Sequence, residues 1–439
     1  MPFLLIAREG EDWPFVDEEQ LKRRLCPYVG PLHVVTVGDR RLYHSRLGHP
    51  SDDPVMHRVI FAPDGRKAPH VAWACVEMSV DGQRLSTDPL GQVPLWRHDG
   101  PGYRAWAPEA KAFGAIAGFR PLWKPDSQIL AIERRDRTYS PYQNIVRELN
   151  ANLLPPLIPC EDAMTRLEAL SALGDALEAS AAGFELDQTV GAWLSGGIDS
   201  SVATALLARR RPGFSVYTLG TRLGNEFTDA LALATHLNLT HHRVHLDDEA
   251  IGELWSQVID TCEIVDGMAA EIALQVLALA RGTDGAIQQV VTGYGSDLIF
   301  GGMLGQAAYL AAVGVNDTAG LIERTRWSME LAPFALWALG IQQVHLYWHP
   351  AVMLAAMRIP TLMQTQGANE KAILRATAVQ RGWLLSEHAY RPKLGMSIGT
   401  GVNQLLSRHL GQHDPYAYPC KSQAALGRLQ TGVMRGLAG

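Results

Sequence analysis

The chain has 439 residues, 47% of them of hydrophobic type and 19% charged, with a formal net charge of −6. That is apolar material for two cores, and the interspersed signs form no extended basic patch, so nucleic acid and anionic membrane are excluded as expected partners and small molecules are favoured. Five scattered cysteines (Cys26, Cys75, Cys160, Cys262, Cys420), odd in number and in no Cys-x-x-Cys spacing, suggest neither a zinc site nor a disulfide framework. They read as reduced thiols. The start, Met1-Pro2-Phe3-Leu4-Leu5-Ile6-Ala7, is apolar without a basic flank and turns charged at Arg8-Glu9, and no later run reaches transmembrane length; a cytoplasmic location is expected, with a homo-oligomer left open.

In chain order, residues 1 to about 150 read as short strands joined by turns: His33 to Val37, Val59 to Ala62 and Val71 to Val76, with Pro63-Asp64-Gly65 and Asp81-Gly82 between them. A proline-dense stretch, Leu153-Leu154-Pro155-Pro156-Leu157-Ile158-Pro159-Cys160, is the expected linker and divides the chain into 1–155 and 156–439. From Asp162 a helical pattern (Leu167, Leu170, Leu173, Leu177) leads into Gly191-Ala192-Trp193-Leu194-Ser195-Gly196-Gly197-Ile198-Asp199-Ser200-Ser201, a strand, a glycine turn and a helix. Strands are then expected over Phe214–Leu219, Arg243–Leu246 and Ile287–Thr292, alternating with helices over Phe227–Leu237 and Met268–Ala280. Such alternation predicts an α/β fold with a doubly wound parallel sheet, whose ligands sit at the carboxyl ends of the strands. Thr218-Leu219-Gly220 and Thr292-Gly293-Tyr294 then fall beside Ser195. Past about Asn403 only a loose, helical or disordered tail is expected.

Two constellations carry chemistry. In the first, glycines let backbone approach a ligand, serines supply hydroxyls, and a helix N-terminus supplies N–H groups and partial positive charge, which together make an anion cradle. The plainer reading is a serine-capped helix after a tight turn. The second is Val291-Thr292-Gly293-Tyr294-Gly295-Ser296-Asp297-Leu298-Ile299-Phe300-Gly301-Gly302-Met303, a carboxylate in a glycine-flexed loop. Asp199 and Asp297 are the expected Mg²⁺ pair, since that ion takes one or two carboxylates together with phosphate oxygens; helix N-capping is the alternative for each.

Ser195-Gly196-Gly197-Ile198-Asp199-Ser200 resembles the pyrophosphate loop (PP-loop) of the ATP pyrophosphatases, which split ATP between its α and β phosphates. No Gly-Lys-Ser/Thr occurs in the chain, and Gly293-Tyr294-Gly295 lacks the third glycine of a dinucleotide fingerprint. Leu85 to Trp96 and Trp106 to Ala112 resemble the glutaminase domain of the asparagine synthetases, an Ntn-like αββα fold whose nucleophilic cysteine follows the initiator methionine. Pro2 stands there, so the resemblance implies a domain without glutaminase activity. At Tyr294, where asparagine synthetases usually carry glutamate, the chain is similar to the β-lactam and carbapenam synthetases. Arg391-Pro392-Lys393-Leu394-Gly395-Met396, Lys371-Ala372-Ile373-Leu374-Arg375, Asn225-Glu226-Phe227 and Leu346-Tyr347-Trp348 resemble the same branch, and Glu330 falls where it places the partner of its tyrosine.

The resemblance implies catalysis by Tyr294, Glu330 and Lys393, and ATP or pyrophosphate bound by Leu194, Ser195, Gly196, Gly197, Asp199, Ser200, Ser201, Thr218, Gly220, Gly293, Lys371 and Lys393. It implies Mg²⁺ on Asp199 and Asp297, and a substrate pocket drawn from Met268, Glu271, Tyr294, Gly295, Met303 and Glu330. Taken alone, Glu330 reads as a solvated helix residue and Lys393 as a surface lysine. The implied activity is ATP- and Mg²⁺-dependent closure of a β-lactam in a small β-amino acid, through an acyl-adenylate, in a clavam, carbapenem or tabtoxin-type pathway. An ammonia-dependent asparagine synthetase, a peptide cyclase and a catalytically silent nucleotide-binding protein remain the alternatives.

Overall fold

The computed structural model describes residues 3–25, 31–45, 57–61, 67, 71–130, 140–148, 164–186, 189–300, 302, 322, 325, 328–364, 370–392 and 395–437. The expected linker and the 155/156 boundary, like Cys26, Cys160, Met303 and Lys393, lie outside these residues.

The N-terminal part holds two antiparallel sheets. One runs β2 (Leu32–Val37), β3 (Arg40–Ser45), β1 (Phe3–Arg8), β8 (Tyr103–Ala107), β7 (Trp96–Gly100), β9 (Val146–Arg147); the other runs β4 (His57–Phe61), β5 (Ala74–Ser79), β6 (Gly82–Thr87). Side chains alternate across a strand. Phe3 and Leu5 of β1 accordingly share a cluster with Val59, Val76 and Met78 of the small sheet, while Leu4 and Ile6 join Leu21 of the helix Glu18–Leu25 and Phe113 of the 3₁₀ helix Ala110–Ala115. The larger sheet thus lies between the small sheet on one face and these helices on the other. The outer residues Cys75 and Leu90 belong to the same cluster as Leu173 and Val202 of the C-terminal part. The apolar run from Val71 begins as strand only at Ala74, because Val71 and Trp73 are buried in that cluster ahead of the ladder.

The C-terminal sheet has the parallel order β13 (Thr240–His245), β11 (Ser215–Thr221), β10 (Val190–Trp193), β14 (Gln289–Thr292), β15 (Gln342–His345), with β12 (Gly224–Asn225) antiparallel on β11. The chain starts in the middle at β10, steps outward through β11 to β13, then returns to the other side at β14. The loops after β10 and β14 therefore part company at adjacent carboxyl ends, the switch point at which open α/β sheets bind ligands. Both faces are covered. Val190, Ala192, Val216 and Val291 pack with the helices Arg166–Ala182 and Ile198–Arg210, while Trp193, Tyr217 and Val290 pack with Ile251–Cys262 and Gly267–Arg281.

Of the loose, helical or disordered forms expected for the tail, the structure holds the helical one, in two docked helices, Val402–His409 and Tyr418–Leu437. Ala425, Leu426 and Leu429 are buried in the same cluster as the Gly267–Arg281 helix, and the buried Lys421 ammonium meets Glu271 at 2.5 Å. Three apolar residues are a weak stripe to read in a sequence; tertiary docking supplies the rest. Among the described residues no helix is long and apolar enough to cross a membrane.

Asp88 organises the loop that follows β6. Its fully buried carboxyl accepts from Leu90 N (3.1 Å), Gln92 N (3.2 Å), Gln92 Nε2 (3.4 Å) and Val93 N (3.2 Å). Burial outweighs these donors and pushes the carboxyl up to about 6 from 3.8. A folded value above the unfolded one contributes stability that is fully present below about 3.8 and lost as pH rises through about 6. Asp88→Asn, neutral throughout, should gain on the wild type by roughly 1 kcal/mol between pH 5 and pH 8. Urea unfolding of both at the two pH values checks this, and a pH-independent difference refutes it.

Candidate active site

At the end of β10 the chain enters Leu194–Gly197 before the helix Ile198–Arg210 begins. Leu194 is tied to β11: its N–H donates to Tyr217 O at 2.9 Å, and its carbonyl accepts the Thr218 hydroxyl. Ser195 and Ser200 close the turn, with Ser195 N donating to Ser200 Oγ at 3.1 Å and Gly197 N to Ser195 Oγ at 3.3 Å. Gly196 adopts φ +81°, and a Cβ there would lie 2.6 Å from Asp229 Cβ, so conformation and space both demand glycine. Gly197 is the helix N-cap and no side chain caps it, which leaves the positive end of the helix facing the turn. Ser201 is fully buried and offers no hydroxyl to a phosphate. Gly220 pairs with Asn225 at the end of β11.

The loop after β14 lies against this turn. A Cβ on Gly293 would sit 2.5 Å from Ser200 N and 2.7 Å from Asp199 C, so only glycine lets the two loops meet. Asp199 then reaches across: Oδ1 accepts from Ser296 Oγ at 2.6 Å and Oδ2 from Lys371 Nζ at 2.5 Å. The same ammonium lies 2.6 Å from Asp297 Oδ1. Lys371 is fully buried, whereas the two carboxylates are partly exposed. Neither aspartate is an N-cap; Gly197 and Gly295 hold those positions, and both carboxylates stand in the first turns beyond. Tyr347, also buried, donates its hydroxyl to Asp199 O at 3.0 Å. Burial, joined by the charges of Asp199 and Asp297, raises its phenol well above the usual value and keeps it a donor.

Two carboxylates on facing loops, bridged by a cation, suit a hard divalent ion that completes its shell with phosphate oxygens and water. Among the described residues no group of three or more His, Cys, Asp or Glu forms an all-protein cage.

Tyr294 and Glu330 come together beside this pair. The phenol donates to Glu330 Oε1 at 2.7 Å, and Ser328 Oγ donates to Oε2 at 3.0 Å. Glu330 is only 6% exposed and lies in a turn, so the solvated-helix reading does not hold. Met329 (φ +59°) and Ala332 (φ +46°) flank it in left-handed conformations that non-glycine residues rarely adopt, a local cost that sets the carboxylate's direction. The Tyr294 ring stands edge-on to Trp348 at 5.5 Å and tilted to His345 at 5.8 Å.

Of the expected substrate residues, Met268 is buried and Glu271 is sealed against Lys421, so the Glu271 carboxylate serves helix docking rather than an open pocket. Desolvation pushes its carboxyl above the usual carboxylate range, opposed by Lys421. Arg391 approaches the cradle by donating to Asp229 O at 2.9 Å. Buried Arg375 clasps Glu370 O (2.8 Å) and Arg391 O (3.1 Å), holding the backbone next to Lys371 and the Arg391 segment alike. Sequence reasoning assigned no role to Ser296, Ser328, Tyr347 or Arg375; adjacency to Asp297 and Glu330 was the available signal for the two serines.

Gly293→Ala should force the loops apart and cost about 1–3 kcal/mol, as overpacking does. A melting temperature equal to that of the wild type would contradict the close approach.

The family model described as asparagine synthase matches residues 172–346. The carboxyethyl-arginine beta-lactam-synthase of Streptomyces clavuligerus is 28% identical over 359 residues, 78% of this chain and 67% of that protein. Asparagine synthetase B (glutamine-hydrolyzing) of Escherichia coli K12 is 25% identical over 361 residues, 76% of this chain and 61% of that protein. The chain thus spans two thirds or less of these relatives' lengths. Among solved structures, NMN synthetase from Francisella tularensis aligns at 13% identity with a TM-score of 0.29, over 62% of this chain and 94% of its own. The NH3-dependent NAD synthetase from Campylobacter jejuni aligns at 16% and 0.27, over 62% and 97%.

Proposed function

We propose, from the asparagine synthase domain carried by residues 172–346, that this chain is an AMP-forming carbon–nitrogen ligase that closes a β-lactam in a small β-amino acid, in antibiotic or toxin biosynthesis. In this reading residues 1–155 form a degenerate glutaminase-like domain and 156–439 the synthetase domain. The observation that carries the proposal is the Tyr294 hydroxyl donating to buried Glu330, next to a cradle suited to pyrophosphate; the β-lactam-synthase relative supports it.

A carboxylate is a poor electrophile, so its oxygen first attacks the α-phosphorus of ATP, giving an acyl-adenylate and pyrophosphate. Ser195, Gly197 and the start of the following helix hold the leaving pyrophosphate. Asp199 and Asp297 would hold a magnesium ion, which when bound neutralises phosphate charge. The amine of the same molecule then attacks the acyl carbon and AMP departs; joining both ends in one site contributes on the order of 7–11 kcal/mol. As the new bond forms, the amine proton passes to the Tyr294 oxygen while the phenol's own proton passes to Glu330. Lys393 is assigned the tetrahedral oxyanion.

Incubation of a β-amino acid with ATP and Mg²⁺ should yield AMP, pyrophosphate and a product lighter by one water in mass spectrometry. ADP as product, or asparagine made from aspartate and ammonia, would replace this reading. Tyr294→Phe and Glu330→Gln should slow ring closure about 10²–10⁴-fold with single-turnover pyrophosphate release little changed. Because the two act as one unit, the double variant should be barely worse than the poorer single one. Normal lactam formation by Tyr294→Phe would demote the tyrosine to shaping the pocket.

A further inference from the structure

The Lys371 ammonium lies 2.5 Å from Asp199 Oδ2 and 2.6 Å from Asp297 Oδ1. A magnesium ion shared by those carboxylates would take oxygens at about 2.0–2.1 Å, so the two cations claim the same space and repel one another. The chain goes to some length to put the lysine there. Lys371 holds φ +59°, a left-handed conformation at the start of the helix Ala372–Gln380. A Cβ on Gly302 would lie 2.3 Å from Lys371 Cε and 2.5 Å from Asp297 Oδ1, so glycine there keeps room for lysine and carboxylate to meet. Arg375 fixes the preceding backbone through Glu370 O.

We infer that Lys371 is a resident counter-ion that bars the divalent metal from Asp199 and Asp297 until nucleotide phosphate gives the ammonium another anion to turn to. Metal alone would strand a buried ammonium beside a divalent charge, an unfavourable arrangement. Nucleotide and metal together satisfy both cations, because the phosphate cradle begins at Ser195, one turn before Asp199. Metal and nucleotide therefore bind cooperatively, and Lys371 is a positioning residue that sets their order. The inference rests on the adenylation reading for the identity of the metal, but its test measures binding rather than turnover.

The test uses Mn²⁺ alone, followed by the loss of its free-ion EPR signal on titration into the full-length protein without nucleotide. If the ammonium holds the pair in all but about a tenth of molecules, apparent metal affinity falls about tenfold. Lys371→Met and Lys371→Gln, both uncharged, should bind Mn²⁺ at least about tenfold more tightly than wild type. Mn²⁺ should raise the melting temperature of both variants more than that of the wild type, because it replaces the lost ammonium. Variants that fold only when Mn²⁺ is present would support the inference for the same reason. Wild type binding Mn²⁺ alone as tightly as the variants, or variants whose folding Mn²⁺ leaves unimproved, would overturn it. A protein that makes no lactam yet shows this Mn²⁺ pattern would sink the proposed reaction and keep the inference; lactam formation without the pattern would do the reverse.

Discussion

The structure around the candidate site depends on one buried ammonium held between two carboxylates from different loops. Lys371, Asp199 and Asp297 come from three places far apart in the chain, and none has a short-range reason to approach the others. Two like charges on facing loops repel unless a cation lies between them, and a buried cation is costly unless anions surround it. Each group thus needs the others. Ser296, Tyr347 and Arg375 extend the same arrangement by tying the Asp199 side chain, the Asp199 carbonyl and the Lys371 segment into place.

That cluster can form only because the sheet brings the loops to one point. β10 is the first strand of the C-terminal sheet and also its middle one, so the chain leaves it in one direction and returns on the opposite side at β14. The two turns then diverge from neighbouring carboxyl ends, and Gly293 removes the last obstacle between their backbones. A helix N-terminus uncapped by side chain and a pair of hydrogen-bonded serines complete a surface suited to an anion. Charge complementarity follows from topology here: the positive helix end and the bridged carboxylates lie within one turn of each other.

The Tyr294–Glu330 pair is built differently. Its partners are held by packing and backbone strain, with Trp348 and His345 against the ring and left-handed Met329 and Ala332 on either side of the carboxylate. A hydrogen bond of 2.7 Å to a nearly buried carboxylate fixes the direction in which the phenol donates. Tyr294 shares the β14 loop with Asp297, so any shift of that loop moves the phenol and the bridged carboxylate together.

The sequence by itself was enough for the strand–turn–helix at 190–210, the alternation that makes a parallel sheet, and the interest of Asp199 and Asp297 as carboxylates on facing loops. These are local or periodic signals: glycine at a turn, apolar residues at fixed spacing, carboxylates in flexible loops. Tyr294 with Glu330 was legible only through resemblance, since 36 residues separate them and no periodicity links them. The tertiary structure alone decided that Glu271 is spent on Lys421, that the tail is a pair of docked helices, and that Lys371 bridges the two carboxylates. Each of those outcomes depends on which distant charge is buried beside which, and burial is a property of the packed chain that no stretch of sequence carries.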